Sequence, residues 1–132
     1  MNFISDQLAQ YCKNHTSAES SLLAELHRDT YTNVLAPRML SGHLQGKLLS
    51  FFSKMIQPNA ILEIGTYTGY SALCLAEGLK SNGVIHTIDI NEELETRIRK
   101  FINASPYAEN ITLHIGNALQ IIPTLVETFE LV

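Results

Sequence analysis

Apolar positions along the 132-residue chain recur at two different periods. Ahead of Pro58 the spacing is helical. Ile4, Leu8, Tyr11 and Cys12 form one stripe, Leu22, Leu23 and Leu26 a second, and Leu44, Leu48, Phe51, Phe52 and Met55 a third. Thr16-Ser17-Ala18-Glu19 has the spacing of a capping box and predicts the start of the second helix, and Pro58 helps to close the third. Beyond it, short runs rich in β-branched residues alternate with helical stretches. Ala60–Ile64, Val84–Asp89 and Ile111–Ile115 read as strands, and Phe129-Glu130-Leu131-Val132 as the start of a fourth. Ser71 to Leu79 reads as a helix left through Ser81-Asn82-Gly83. A further helix, capped by Asn91, turns Leu94, Ile98, Phe101 and Ile102 inward. Strands alternating with helices predict an α/β fold with a doubly wound, mostly parallel sheet behind an N-terminal helical segment.

The chemistry concentrates where the first strand ends. Ile61-Leu62-Glu63-Ile64-Gly65-Thr66-Tyr67-Thr68-Gly69-Tyr70-Ser71 joins a buried strand to a glycine-containing turn and then a helix, with Gly65 permitting close backbone approach to a ligand. Glu63 stands at the carboxyl end of the strand, where ligands of open α/β sheets bind. Asp89 ends the next strand at about the spacing of a ribose-binding acid. Tyr67 occupies the place where a dinucleotide fingerprint has its second glycine, which disfavours a pyrophosphate. The remaining Glu-x-Gly-x-x-x-Gly pattern suits S-adenosylmethionine, which has a ribose and a cationic amino-acid tail but no phosphates.

Charge and composition narrow the partners. A formal net charge of −4 argues against a broad nucleic-acid footprint and favours a small soluble substrate. No apolar run is long enough to cross a membrane, and Met1-Asn2-Phe3-Ile4-Ser5-Asp6 lacks a basic segment followed by a signal-like stretch, so the expected compartment is the cytoplasm. Cys12 and Cys74 fall in helical apolar patterns and read as packed free thiols. The five histidines show no paired ligand spacing and read as structural or exposed. Glu93 with Arg97 and Glu95 with Arg99 are i,i+4 pairs, and the charge run around them reads as a solvated helix face.

Glu63-Ile64-Gly65-Thr66-Tyr67-Thr68-Gly69-Tyr70-Ser71, Thr87-Ile88-Asp89-Ile90-Asn91 and Gly116-Asn117-Ala118-Leu119, with Pro37-Arg38-Met39-Leu40-Ser41 and Gln45-Gly46 ahead of them, resemble the metal-dependent O-methyltransferases of the caffeoyl-CoA and catechol type. The resemblance covers nearly the whole chain. It implies a Rossmann-like class I methyltransferase fold as one domain over 1–132, with N-terminal helices over 1–57 and a nucleotide-binding half over 58–132. Glu63 would then hold the methionine amino group, Gly65 and Thr66 would offer backbone to the methionine moiety, and Ser71 its hydroxyl or backbone. Asp89 would bind the ribose hydroxyls, Ile90 would lie on the adenine face, Asn117 and Ala118 would meet the adenine edge, and Met39 and Ser41 would fold over the cofactor from the helical side. Many relatives have Asp at the position of Asn117. Blander roles compete at single positions: helix capping for Ser71, core filling for Met39.

The resemblance further implies methyl transfer to a hydroxyl of a catechol-like acceptor, assisted by a divalent cation such as Mg2+, in a homodimer. The ligands of that metal belong to an Asp-x-Asp segment and an Asp-Asn pair that this sequence does not contain. The chain ends while an apolar strand is being written, and the expectation is of a domain lacking its C-terminal strands and inactive alone. Methylation of a tRNA-base hydroxyl or carboxyl group, and cofactor binding without catalysis, stand as alternatives.

Overall fold

The computed structural model describes residues 4–132, so the first three residues of the segment searched for a leader, Met1–Phe3, lie outside the described residues. Three helices precede the sheet: α1 (Asp6–Asn14), α2 (Ser21–Asn33) and α3 (Gly42–Ile56), with a 3-10 turn at Pro37–Met39 between the last two. Three strands follow, β1 (Ala60–Ile64), β2 (Val84–Asp89) and β3 (Ile111–Ile115), interleaved with α4 (Tyr70–Ala76) and α5 (Glu95–Asn103). The short helix α6 (Ala118–Ile121) comes after β3. The strand bounds are those the β-branched runs predict.

The sheet is parallel in the order β1-β2-β3, with Ala60 opposite Val84 and Ile85 opposite Ile111. Leu131 makes a parallel bridge to Ile61 on the other edge of β1, and Leu62 N–H donates to Leu131 O at 3.0 Å. The chain thus leaves β1 toward β2 and β3 on one side and returns to β1 on the other. In open α/β sheets the crevice outside the strand ends at such a reversal is the ligand position. Ile61, Ile85, Ile98, Phe101 and Leu26 are almost wholly buried in the core that joins the sheet to α2, α4 and α5.

The sequence misplaces several details. The helix α2 is capped by Ser20, whose hydroxyl accepts from Leu23 N–H, and not by the capping box at Thr16. Thr16 donates instead to Cys12 O at 2.6 Å, and Glu19 accepts from the Tyr70 hydroxyl. The fourth helix stops at Ala76. Glu77, Gly78 and Leu79 continue it with N–H groups bonded three residues back, as in a 3-10 turn. Asn91 Oδ1 accepts from Glu93 N–H and caps a 3-10 turn, Glu92–Leu94, that leads into α5.

The charge run on α5 is not simply a solvated face. Arg97 bonds Asp29 of α2 rather than Glu93, and Lys100 reaches Glu25 at 3.3 Å, so part of this face ties α5 to α2. The Arg97 guanidinium is the main reason that the Asp29 carboxyl lies below its ordinary value. The Glu95–Arg99 pair forms as the spacing predicts, at 2.8 Å. Both cysteines are free, with Cys74 buried and Cys12 half-buried.

Helix α3 reverses the burial its hydropathy suggests. Leu44, Leu48, Phe51, Phe52 and Met55 are 37% to 67% exposed, whereas Gly46, Ser50 and Ser53 are buried. Small residues are required because α3 lies almost on the backbone of the turn after α4. A Cβ placed on Gly78 would stand 2.2 Å from the carbonyl carbon of Ser53. Ser53 Oγ donates to Leu75 O at 2.6 Å, and Ser50 Oγ and Lys54 Nζ both donate to Glu77 Oε2. The contact is polar and close, in contrast to the leucine-faced packing that a helical stripe usually signals.

Candidate functional site

Strand β1 delivers Glu63 to the carboxyl edge of the sheet, where it is held by hydroxyl groups. Thr87 Oγ1 donates to Glu63 Oε2 at 2.5 Å. Because that bond uses the only Thr87 hydroxyl proton, the 2.6 Å contact between the Thr66 and Thr87 hydroxyls has Thr66 as donor. Thr66 and Thr87 are 1% and 0% exposed. Burial pushes the Glu63 carboxyl above its ordinary value. Hydrogen bonds from Ser71 and Thr87 offset part of that rise, and the nearby charge of Asp89 adds to it.

The turn after β1 is shaped by backbone. Gly65, at φ +96, and Thr66 both turn their N–H groups to Ile88 O, at 2.8 and 3.3 Å, so the loop is fastened to β2. An L side chain is strained at the Gly65 conformation. Asp89, at the end of β2, accepts Tyr67 N–H on Oδ2 at 2.6 Å and Asn91 N–H on Oδ1 at 2.9 Å. Each carboxylate oxygen retains a free lone pair for a ligand hydroxyl. Gly116 N–H donates to Asp89 O at 2.8 Å and brings the turn after β3 alongside. Asn117 Oδ1 there accepts Leu119 N–H, so the Asn117 side chain presents its amide N–H groups outward.

Nine of the ten sequence-predicted site residues line two recesses at this edge. Gly65, Asp89, Ile90, Asn117 and Ala118 line one cleft of about 290 Å3 together with Ile64, Ile88 and Gly116. Met39, Ser41, Thr66 and Ser71 line an adjoining recess of about 60 Å3, which also touches Gly65, Tyr67 and Tyr70. Glu63 lines neither recess: it accepts from Thr87 and lines a separate cavity with Leu49, Phe52, Ile56 and Leu131. Met39 is 68% exposed and Ile90 75% exposed, so neither fills the core. Ser41 makes no side-chain cap to α3, which leaves its hydroxyl uncommitted.

Sequence reasoning passes over Thr87 and reads Tyr67 only as a residue at a glycine position. The signal for Thr87 was a hydroxyl inside an otherwise apolar strand; for Tyr67 it was a bulky residue at a glycine position. Thr87 reaches the site through Glu63, and Tyr67, which touches the recess itself, bonds Leu35 and Ala36, all partners distant in sequence. Among the described residues no group of three or more His, Cys, Asp or Glu is arranged to hold a metal ion.

A raised carboxyl makes a signed prediction. A folded-state pKa above the unfolded one contributes stability that is fully present below the unfolded value and is lost as pH rises through the folded one. In thermal unfolding without ligand, Glu63→Gln is therefore expected to gain on wild type as pH rises from below 4.5 through the folded pKa of Glu63. A midpoint difference that stays constant across that range would show that Glu63 carries no desolvation cost.

Comparison with known proteins identifies the family. A family model described as O-methyltransferase matches residues 13–131. A catechol O-methyltransferase of Niastella koreensis is 32% identical over 100 residues, 73% of this chain and 45% of that protein. A caffeoyl-CoA O-methyltransferase of Stellaria longipes is 30% identical over 123 residues, 92% of this chain and 51% of that protein. Among solved structures, the SAH-bound Podospora anserina methyltransferase PaMTH1 superposes with a TM-score of 0.86 at 28% identity, over 95% of this chain and 54% of that one. An O-methyltransferase from Bacillus cereus in complex with SAH gives 0.82 at 28% identity, over 94% and 56%. The chain spans about half the length of these relatives. With the match running from Lys13 to Leu131, and with a Rossmann-like fold carrying paired strand-end acids, the chain belongs to the O-methyltransferase family.

Proposed function

We propose that this chain is the cofactor-binding part of an S-adenosylmethionine-dependent O-methyltransferase acting on a hydroxyl of a small catechol-like acceptor, with divalent-cation assistance. The observation that carries the reading is the pair of strand-end acids, Glu63 and Asp89, held on either side of a glycine turn whose N–H groups are fastened to β2. The residues fit the cofactor chemically. Glu63 is a desolvated carboxylate that a cationic amino group would stabilise in its charged form. Asp89 has lone pairs left for two ribose hydroxyls, and exposed Ile90 offers an apolar surface to a purine face.

Bound S-adenosylmethionine supplies an electrophilic methyl carbon on a sulfonium. The chain's own contribution is to bind and orient: Glu63 and Asp89 fix the two ends, the turn at Gly65 sets the depth, and Met39 and Ser41 cover the recess beside Thr66 and Ser71. Holding the donor in one pose reduces the entropic part of the transfer barrier. A divalent cation would lower the acceptor hydroxyl pKa and orient the attacking oxygen, with ligands from outside these residues. Assembly as a homodimer and a cytoplasmic location belong to the same proposal.

The test has two arms. Calorimetry with S-adenosylmethionine and S-adenosylhomocysteine should show one site per chain. A labelled-methyl assay with catechols, run with and without a chelator, should show metal-dependent transfer for the enzyme reading. Binding without turnover would leave a non-catalytic cofactor-binding module, and turnover on tRNA but not catechols would change the acceptor class.

A further inference from the structure

We infer that Tyr67 is a positioning residue whose hydroxyl latches the segment Leu35–Ser41 over the cofactor recess and thereby slows cofactor release; this rests on the cofactor reading above. Tyr67 sits at φ +52, a left-handed conformation that is an outlier for a bulky aromatic residue, and such strain persists where surrounding bonds over-determine it. Two sets of bonds do so. At its backbone, Tyr67 N–H donates to Asp89 Oδ2. At the far end of its side chain, the hydroxyl donates in a shared bond to Leu35 O at 2.9 Å and Ala36 O at 3.2 Å. One residue thus joins the strand-end acid below the recess to the segment above it.

The Leu35–Ala36 end of the segment has little else to hold it there. Leu35 is 90% exposed and Met39 68% exposed, and Leu40 is the one large apolar side chain of the segment packed against the core. Its backbone bonds are mostly internal, Met39 N–H to Ala36 O and Leu40 N–H to Pro37 O, and Ala36 is itself left-handed at φ +55. Among the described residues, Tyr67 is the one side chain hydrogen-bonded to Leu35 or Ala36. The next residues along, Met39, Leu40 and Ser41, form the wall of the recess that faces Gly65, Thr66 and Ser71. Releasing the hydroxyl frees the Leu35–Met39 side of that wall while leaving Leu40 on the core and the turn beneath it in place.

Tyr67→Phe removes the hydroxyl and keeps the ring. For S-adenosylhomocysteine the variant is expected to bind about 2- to 10-fold more weakly, the range of one neutral hydrogen bond, with the loss in the dissociation rate. Tryptic cleavage after Arg38, followed by mass spectrometry, should be faster in the variant and less protected by ligand, at an unchanged thermal midpoint. Equal dissociation rates together with equal cleavage at Arg38 would overturn the latch. If wild type binds no cofactor, the cofactor reading fails by itself, and the cleavage comparison alone decides whether Tyr67 holds the segment.

Discussion

Gly78→Ala is expected to destabilise the chain by about 3 kcal/mol, the upper end of what overpacking costs. The added Cβ would lie 2.2 Å from Ser53 C and 2.3 Å from Lys54 N, and these are backbone atoms inside α3 that cannot swing aside. Gly46 differs in kind: its Cβ would meet Cys74 Sγ and Tyr70 Cε1 at 2.7 Å, both on side chains. Gly42 is a useful control, because nothing lies within 4 Å and only its φ of +72 opposes a side chain. Urea denaturation should show a much lower midpoint for Gly78→Ala than for Gly42→Ala, at an unchanged slope. Equal losses in the two variants would mean that α3 does not approach the turn after α4 so closely.

The second large effect is on binding. Asp89→Ala removes the carboxylate that would bond the ribose hydroxyls, and hydrogen bonds to a charged group contribute roughly 1.5 to 3 kcal/mol, about 10- to 150-fold in affinity. The variant also strips the acceptor from Tyr67 N–H and Asn91 N–H, so some stability should go with it. Asp89→Asn separates the two losses, because its carbonyl oxygen can still accept one of those N–H groups. Calorimetry on the folded variants reads the affinity directly. An unchanged affinity for S-adenosylmethionine in folded Asp89→Ala would remove Asp89 from the site.

The strands and the strand-end acids were legible because their signals are local. Val84–Asp89 is a β-branched run ending in an acid, and Gly65 and Gly69 bracket a turn that needs their conformations, with φ of +96 and +92. Helix α3 was legible as a helix and illegible as to its buried side. The periodic leucines and phenylalanines mark a face, but the partner across the interface is the Gly78 backbone, which admits only small side chains. The capping box lies four residues ahead of the actual cap of α2 because four serine or threonine residues, Thr16, Ser17, Ser20 and Ser21, stand close together, and Glu19 bonds Tyr70 instead of completing a capping box. The roles of Thr87 and Tyr67 depend on partners at Glu63 and Leu35 that no local window contains.

The parallel pairing of β1 with β2 has a kinetic consequence. The N–H groups of Gly65 and Thr66 have their acceptor on Ile88, and Tyr67 N–H has its acceptor on Asp89, so the binding turn has no closed form of its own. A hairpin sheet closes its turn before its strands extend; here the crossover through α4 must first carry β2 back to β1. The turn's N–H groups therefore find their acceptors only once Val84–Asp89 has docked beside β1, and the grip on a ligand waits for that pairing.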